Sequence, residues 1–561
     1  MKLSSGSVVL AALIIAGCGS SGTTSPGPDT TVTEDGVVED TVADVVTPVD
    51  VVEATDPTPG DQIAVDVPVD NAIPDIQPDI TPPKVTKTTP AADAANVATP
   101  FKVAVTFSEA IRFKETVDKN TFRINDINGK QLEGTYTYDA ATFTVTWTPK
   151  ANVVFLPAAP YTVTLTNIIQ DVSGNKLEDW FVFHFATALP AGMDKYEKLA
   201  AKYSPVVYQA TAKAAPHFDY LTSLDFDGNW TSLDNDKSAK KATSFASHVY
   251  YDVIESKSHF FITYAYYYPI HMGVVAGEDA FANDVSGATV VVAKYPEETP
   301  IAVELYFGAG QIEEVRAYVS AESGIVKEKD KKYYGVNWVF PQGDLFPNGH
   351  YLAYLPASKH ESCLWIQTNK ESTLQQRCLL NDGIKASMSK VQYVYKDGTA
   401  EKLTKKDGVF PDTAAEVGYG LRSILNEWWI RRDRVGADEI YAATYTYEPP
   451  EYPVNSGTYR PGTGMEIPGT FLDAIAPTTI YKGRPPWAWK WEPAGSLDWD
   501  FWYYEIPRGN LFLDPAYFFM MRHRLTAGFK SDTKEGYSAD YCFNPYVLID
   551  QRDKDPDCKA L

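Results

Sequence analysis

Cysteine is scarce: 5 in 561 residues, with no Cys-x-x-Cys among them. Thiol-redox chemistry and zinc-ribbon folds therefore have no sequence support. Positive charge is missing over a long stretch, with no Lys or Arg from Gly19 to Pro83, and the whole chain carries a formal charge of -23. Nucleic acids and anionic lipids are gripped through Lys and Arg, so no nucleic-acid partner is expected, nor adhesion through a basic patch. Past the amino terminus no apolar run is long enough for a transmembrane helix. The motifs of common enzymes are absent too. No Gly-x-Ser-x-Gly elbow occurs, which removes the usual serine-hydrolase nucleophile. His360-Glu361-Ser362-Cys363-Leu364 begins as a zincin helix would, but Leu364 stands where the second ligand histidine is required. Gly418-Tyr419-Gly420 lacks the third glycine and the preceding strand of a dinucleotide loop.

The amino terminus carries the clearest positive signal. Met1-Lys2 gives a short basic start, Val8 to Ala16 an apolar run, and Ile15-Ala16-Gly17-Cys18 a small-residue processing site ending in cysteine. Such a run is too short to span a bilayer. The pattern resembles the bacterial lipobox. That resemblance implies cleavage before Cys18, lipidation of its sulfur and new amino terminus, and a place in the cell envelope. The outer membrane is the expected site, facing outward or towards the periplasm, with the lipid as the link to the membrane.

Residues 18–81 follow as a Thr-, Pro-, Asp- and Val-rich segment, and its acidic residues from Asp29 to Asp79 supply more than half of the net charge. Few aromatics and charge of one sign keep such a segment solvated, so a disordered tether is expected. Export also bears on the remaining cysteines. They lie in two close pairs, Cys363 with Cys378 and Cys542 with Cys558, and an oxidising compartment makes two local disulfides the expectation. Loops of that length would each stabilise by about 3 kcal/mol.

Residues 82–188 read as short strands with turn punctuation. Phe101 to Phe107, Thr142 to Trp147 and Tyr161 to Leu165 alternate at period two, broken by Gly129, Pro149 and Ser173-Gly174-Asn175. About seven such strands predict an antiparallel sandwich. Thr89-Pro90-Ala91, Val105-Thr106-Phe107-Ser108-Glu109, Pro160-Tyr161-Thr162-Val163 and Asp171-Val172-Ser173-Gly174-Asn175, closing with Phe185-Ala186-Thr187, resemble the SbsA-type bacterial Ig-like domain. The resemblance implies a spacer or adhesive module without catalysis. Asp171 reads as a turn former rather than a calcium ligand.

Residues 190–561 form a large domain dense in Tyr and Trp, predicted to be sheet-dominated with a few helices. Ser258 to Tyr268 and Ala288 to Ala293 read as buried or half-buried strands. An amphipathic helix is predicted over 414–432, with Val417, Leu421, Ile424, Leu425, Trp428 and Trp429 on one side. Asp225-Phe226-Asp227-Gly228-Asn229-Trp230 sets two carboxylates beside a glycine turn, the clustered oxygen that calcium or magnesium favours.

Farther on, the aromatic strand Tyr264–Tyr268 leads into Pro269-Ile270-His271. A polar loop with Glu278 and Asp279 then precedes Asn283-Asp284 and the next strand. This order of strand, loop and strand resembles the necrosis- and ethylene-inducing-peptide-like cytolysins and the vacuolar-sorting-type secreted proteins. The resemblance implies a divalent cation site. On it, His271 stands at the turn aspartate and Asp284 at the loop aspartate, while Asn283 replaces a histidine, Val285 the tryptophan and Ser286 the glutamate. A fainter likeness falls at Ser358-Lys359-His360-Glu361. Asp225, Asp227, His271 and Asp284 are thus the candidate ligands, for calcium or magnesium, though no cofactor is required by the sequence.

Trp487-Ala488-Trp489-Lys490-Trp491 places tryptophans at period two, which on a strand share one face. Exposed, Trp487, Trp489 and Trp491 would stack sugars beside Asp498, Asp500 and Glu505; buried, they are sheet core, the preferred reading. Carboxylates two apart sit too close for an inverting glycosidase pair.

The expectation is a mainly β protein in which a lipid anchor and tether carry an Ig-like sandwich and a larger β-rich domain. A non-catalytic module for a protein or glycan ligand ranks first. A metal-assisted or carboxylate-based hydrolase of extracellular polymers and a cytolysin-like membrane-acting protein are the alternatives.

Overall fold

The computed structural model describes residues 78–127, 129–231, 233–272, 280–306, 316–320, 338–365, 389–441, 443–447, 465–470, 483, 485–488, 512–522 and 536–558. Cys18, the acidic segment as far as residue 77, Cys378, Trp489, Trp491, Asp498, Asp500 and Glu505 lie outside these residues.

The first module is a sandwich of seven strands: β1 (Val85–Thr89), β2 (Val103–Phe107), β3 (Phe122–Asp126), β4 (Gly134–Asp139), β5 (Thr144–Pro149), β6 (Pro160–Leu165) and β7 (Phe181–Ala186). One antiparallel sheet runs β1-β2-β5-β4 and the other β3-β6-β7. Alternation decides what is inside: Val103, Val105 and Phe107 of β2 are buried, while Ala104 and Thr106 are only partly so. Phe101 meets Tyr161 and Phe185 edge-on, with ring centroids 5.0 and 4.8 Å away. A Cβ at Gly134 would run into the Trp147 indole, so the close packing of β4 on β5 requires glycine there.

The large domain is built on one long sheet. Its strands are β8 (Val206–Thr211), β10 (His248–Ser256), β11 (His259–His271), β12 (Phe281–Ala293), β13 (Thr299–Tyr306), β14 (Arg316–Ser320), β15 (Trp338–Phe340), β16 (Leu352–Leu355), β17 (Cys363–Leu364), β18 (Ser389–Tyr395) and β20 (Ala414–Ser423); β9 (Ser244–Ala246) and β19 (Lys402–Thr404) form a separate pair. The order is β15-β14-β13-β12-β11-β10-β20-β18-β8-β16-β17. Of the later pieces, β23 (Tyr541–Asn544) with β24 (Ile549–Asp550) joins this sheet, β23 pairing with β10, while β21 (Ala443–Tyr447) and β22 (Met465–Thr470) form a separate pair.

This sheet curls. In the order, β11 and β8 stand four strands apart, about 19 Å in a flat sheet. Yet the Tyr268 hydroxyl of β11 donates to Gln209 Oε1 of β8 at 2.5 Å, and the Tyr266 and Tyr351 hydroxyls share a hydrogen bond. Only a sheet folded over its concave face brings those side chains together. Tyr264, Tyr266 and Tyr268 fill that concave core with Val207, Ala353, Leu355, Tyr393 and Tyr419. Phe261, Ala265 and Tyr267 face the other way, into a second core closed by Trp428, Trp429, Trp487, Phe512 and Tyr546. The Tyr-rich run of β11 is thus buried on both faces, which is why it lacks alternation.

Two expectations need correcting. The stretch 414–432 is not one helix: residues up to Ser423 form β20, and only Ile424–Glu427 and Trp429–Arg431 are helical turns. Val417, Tyr419 and Leu421 alternate as well as they fit a helix, and Gly418 and Gly420 weigh against a helix interior. The Ser423 hydroxyl, accepting from Asn426 N–H at 3.1 Å, marks where helix begins. Asn283 and Asp284 are not a loop before the strand but part of β12.

Among the described residues, Ala158 of the sandwich packs into the second core of the large domain, and three consecutive large-domain residues make polar contacts with the sandwich. Arg432 Nη1 donates to Ala158 O (3.5 Å), Asp433 accepts from His184 Nδ1 (2.8 Å) and Thr162 Oγ1 (3.5 Å), and Arg434 pairs with Asp93. A disulfide joins Cys542 to Cys558, with Cα atoms 5.3 Å apart, and Cys363 is disulfide-bonded too.

Candidate functional site

The ends of β11 and β12 carry the site. In their register His271 faces Phe281 and Tyr268 faces Asp284. Between them Pro269 brings no N–H to the ladder, and opposite it Asn283 takes a left-handed backbone (φ 60). Asparagine tolerates that conformation better than most residues. Its Oδ1 accepts from Asn235 Nδ2 and the Tyr267 hydroxyl, both at 2.8 Å, so the kink is held from inside.

A loop from Pro356 to His360 closes over this end. Ser358 (φ 72) and His360 (φ 54) are also left-handed without being glycine, each a local cost of about 1–3 kcal/mol that the surroundings must enforce. Two backbone contacts do so: Ser358 O accepts from Met272 N–H (3.0 Å) and His360 N–H donates to Pro356 O (3.2 Å). The outcome is that His360 lies flat on Tyr268, rings 3.6 Å apart and 7° from parallel.

His360 is fully buried and spans two carboxylates. Its Nδ1 is 2.8 Å from Asp284 Oδ2, and its Nε2 is 2.9 Å from Asp219 Oδ1. His271, stacked on Phe281 with ring centroids 4.4 Å apart, brings Nδ1 to 3.1 Å from the same Asp284 Oδ2. Burial pulls the His360 imidazolium down, but the hydrogen bonds and charges of Asp219 and Asp284 outweigh it and raise its pKa to about 9. Burial alone would lift the Asp284 carboxyl; the two histidines hold it below the usual carboxylate range.

The two aspartates differ in what they have left to give. Asp219, at the end of the turn Pro216–Asp219, accepts from Ala212 N–H (2.7 Å) and Ser358 N–H (2.6 Å) besides His360. Asp284 has its Oδ1 buried with no hydrogen-bond partner. His271, Asp284 and His360 each offer a donor atom within 4.8 Å of the others, so the trio can hold a metal ion. Among the described residues the other such group is Asp79, Glu109 and Asp171. There Asp171 is already occupied by the Asn175 backbone and side chain, both at 2.8 Å.

The structure brings His271 and Asp284 together and leaves Asp225 and Asp227 out of that cluster. Asp225 is paired with Arg422 (2.7 Å to Nη1), which also binds Glu427 (2.6 Å). Asp227 accepts from Asn229 N–H (3.0 Å) in a turn that needs the positive φ of Gly228. The oxygen-rich motif is thus a turn beside an ion pair. Sequence reasoning gave His360 only a faint place and missed Asp219. The contact between these two spans 141 residues of chain, and no local motif announces it. Trp487 is no stacking platform: it is 1% exposed, in the turn Pro486–Ala488, edge-on to Trp429 at 5.1 Å.

Residues 79–187 match the bacterial Ig-like domain family. No curated protein matches the chain. Among solved structures, the methionine-rich copper resistance protein PcoC of Escherichia coli is similar at 18% identity over 19% of this chain and 99% of that one, with a TM-score of 0.16. CopC of Methylosinus trichosporium OB3b is similar at 14% identity, covering 19% of this chain and 94% of that one, TM-score 0.15. The amino-terminal part of the bacterial S-layer protein SbsC is similar at 14% identity, covering 38% of this chain and 41% of that one, TM-score 0.15. No helix among the described residues is long and apolar enough to cross a membrane. The chain therefore carries a bacterial Ig-like domain at 79–187, joined to a mainly β domain in which His271, Asp284 and His360 lie close enough together to hold a metal ion.

Proposed function

We propose that the chain is a surface lipoprotein, anchored in the envelope through Cys18, that presents its large β domain as a binding module braced by a divalent cation. The Ig-like domain is its spacer. The observation that carries the cation is the convergence of His271 Nδ1 and His360 Nδ1 on Asp284 Oδ2, while Oδ1 of the same buried carboxylate has no partner. An ion there would be held by those three side chains and would supply the positive charge that the orphaned Asp284 Oδ1 lacks. Asp284 and His360 are fully buried and the His271 side chain is 16% exposed. That favours a bracing ion over one that meets a polymer substrate, and so a binding module over a hydrolase.

Thermal melting of the full chain with and without a chelator tests the brace. The expected result is a lower melting temperature after chelation, with no chelator effect in a His271→Ala, Asp284→Ala double variant. An unchanged melting curve in the wild type would sink the cation. Anchoring is tested separately: Cys18→Ala should move the protein from the membrane fraction to the soluble one, and retention in the membrane fraction would count against the lipid.

A further inference from the structure

The donor set at the end of β11 and β12 is unusual for a hard cation. Calcium takes about 6–8 oxygen ligands and magnesium also prefers oxygen. Here two of the three converging side chains offer imidazole nitrogen, and the oxygen-rich Asp225–Asp227 turn stands outside the cluster. Imidazole suits zinc and its first-row neighbours.

Asp219 adds an independent observation. Histidine ligands usually give their second ring N–H to a carboxylate, which fixes the tautomer and leaves the first nitrogen's lone pair to the ion. Asp219 Oδ1 stands 2.9 Å from His360 Nε2, on the side away from Asp284. Two backbone N–H groups already hold the Asp219 carboxylate, so it is fixed as an acceptor and cannot swing round to become a ligand. The Tyr268 ring, 7° from parallel with the imidazole, sets the plane in which that nitrogen points. Both histidine Nδ1 atoms meet on Asp284 Oδ2, and Oδ1 of the same carboxylate has no partner among protein groups, which leaves the carboxylate capacity for an ion.

Resting on the cation-site reading above, we infer that the site takes a nitrogen-preferring first-row divalent ion, zinc foremost, in place of calcium or magnesium. His271, Asp284 and His360 are the ligands, and Asp219 is a positioning residue for His360.

Calorimetric titration of the chelator-stripped full chain with Zn²⁺, Ca²⁺ and Mg²⁺, each alone, tests this. One zinc per chain is expected, bound at least ~10-fold more tightly than either hard cation. Asp219→Asn should weaken zinc by roughly 10–100-fold, as loss of an outer-shell partner does. Because Asp219 also holds two backbone groups, His271→Asp serves as the second variant. This partly exposed position can change without emptying a core, and the swap of nitrogen for oxygen should lower zinc affinity and raise calcium affinity. Co²⁺ gives an optical readout, with visible ligand-field bands expected in the wild type and altered bands in His271→Asp. Calcium or magnesium binding as tightly as zinc would overturn the choice of ion and leave the cation site standing. Failure of all three ions to bind the wild type would instead remove the site itself. Unchanged zinc affinity in Asp219→Asn would overturn the positioning role.

Discussion

The two modules bury different things. The Ig-like core is apolar: Phe101, Val105, Trp147, Val163 and Phe185 fill it, and among its described residues Asp171 is the one fully buried carboxylate, set in a turn. The large domain buries Asp219, Asp252, Glu255, Asp284, Lys294, His360 and Arg432. Charge inside protein costs more than it returns unless each group is paired and hydrogen-bonded. Glu255 meets that condition, with Lys294 Nζ at 2.7 Å, Lys195 Nζ at 3.0 Å and the Tyr196 hydroxyl at 2.6 Å. Asp252 meets it less well, and burial pushes its carboxyl up to about 7. The sandwich closes its core with hydrocarbon. The large domain keeps these charge-capable groups inside, and the cluster at the end of β11 and β12 is the best-defined instance.

That contrast can be broken by experiment, the largest effect first. Lys294→Met removes the nearer cation from buried Glu255 and should cost about 3–5 kcal/mol, as breaking a buried pair does. Denaturant unfolding followed by large-domain tryptophan fluorescence would read it, and a loss under about 1 kcal/mol would mean Lys195 suffices alone. In the sandwich, Leu165→Ala empties a fully buried site and should cost about 2–5 kcal/mol. Cation binding should be untouched by that change; a parallel loss of binding would show the modules are energetically one.

Between the modules, Asp433→Asn should cost about 1 kcal/mol in acid, and less as pH rises through the His184 pKa. Burial draws His184 down, but the hydrogen bond and charge of Asp433, with Glu439 beyond, more than offset it, so its pKa stands above the ordinary 6.5. A raised pKa in the folded state stabilises fully below 6.5 and fades as pH climbs past the raised value. Melting of wild type and variant should therefore differ in acid and converge in alkali, and a gap that stays constant with pH would assign the effect to packing. Smallest of all, Asp227→Ala should change stability by at most about 0.5 kcal/mol and leave metal content as it was. Any drop in bound metal would return that turn to the site.

Strand content was legible where one face alone is buried, as in β2, β5 and β6, because alternation then records the burial directly. In β20 the same residues satisfied both a helical and an alternating template, and only the glycines at 418 and 420 argued for the strand. Of the candidate site, His271 and Asp284 lie 13 residues apart on neighbouring strands, close enough for sequence order to suggest a pairing. Asp219 and His360 reach the same place through the curl of the sheet and a loop with two strained residues. Nothing in either local sequence encodes that meeting. The oxygen-rich turn at Asp225 and Asp227 misled because its usual partner is a cation, and here a guanidinium takes that part for Asp225.

Arg432, Asp433 and Arg434 attach the large domain to three separate places on the sandwich: the β5–β6 loop, strands β6 and β7, and the β1–β2 loop. Two bodies pinned at one point can swivel about it. Contacts on three different pieces of one body resist that swivel. Each contact sits on a different piece of the sandwich, so removing one leaves two in place.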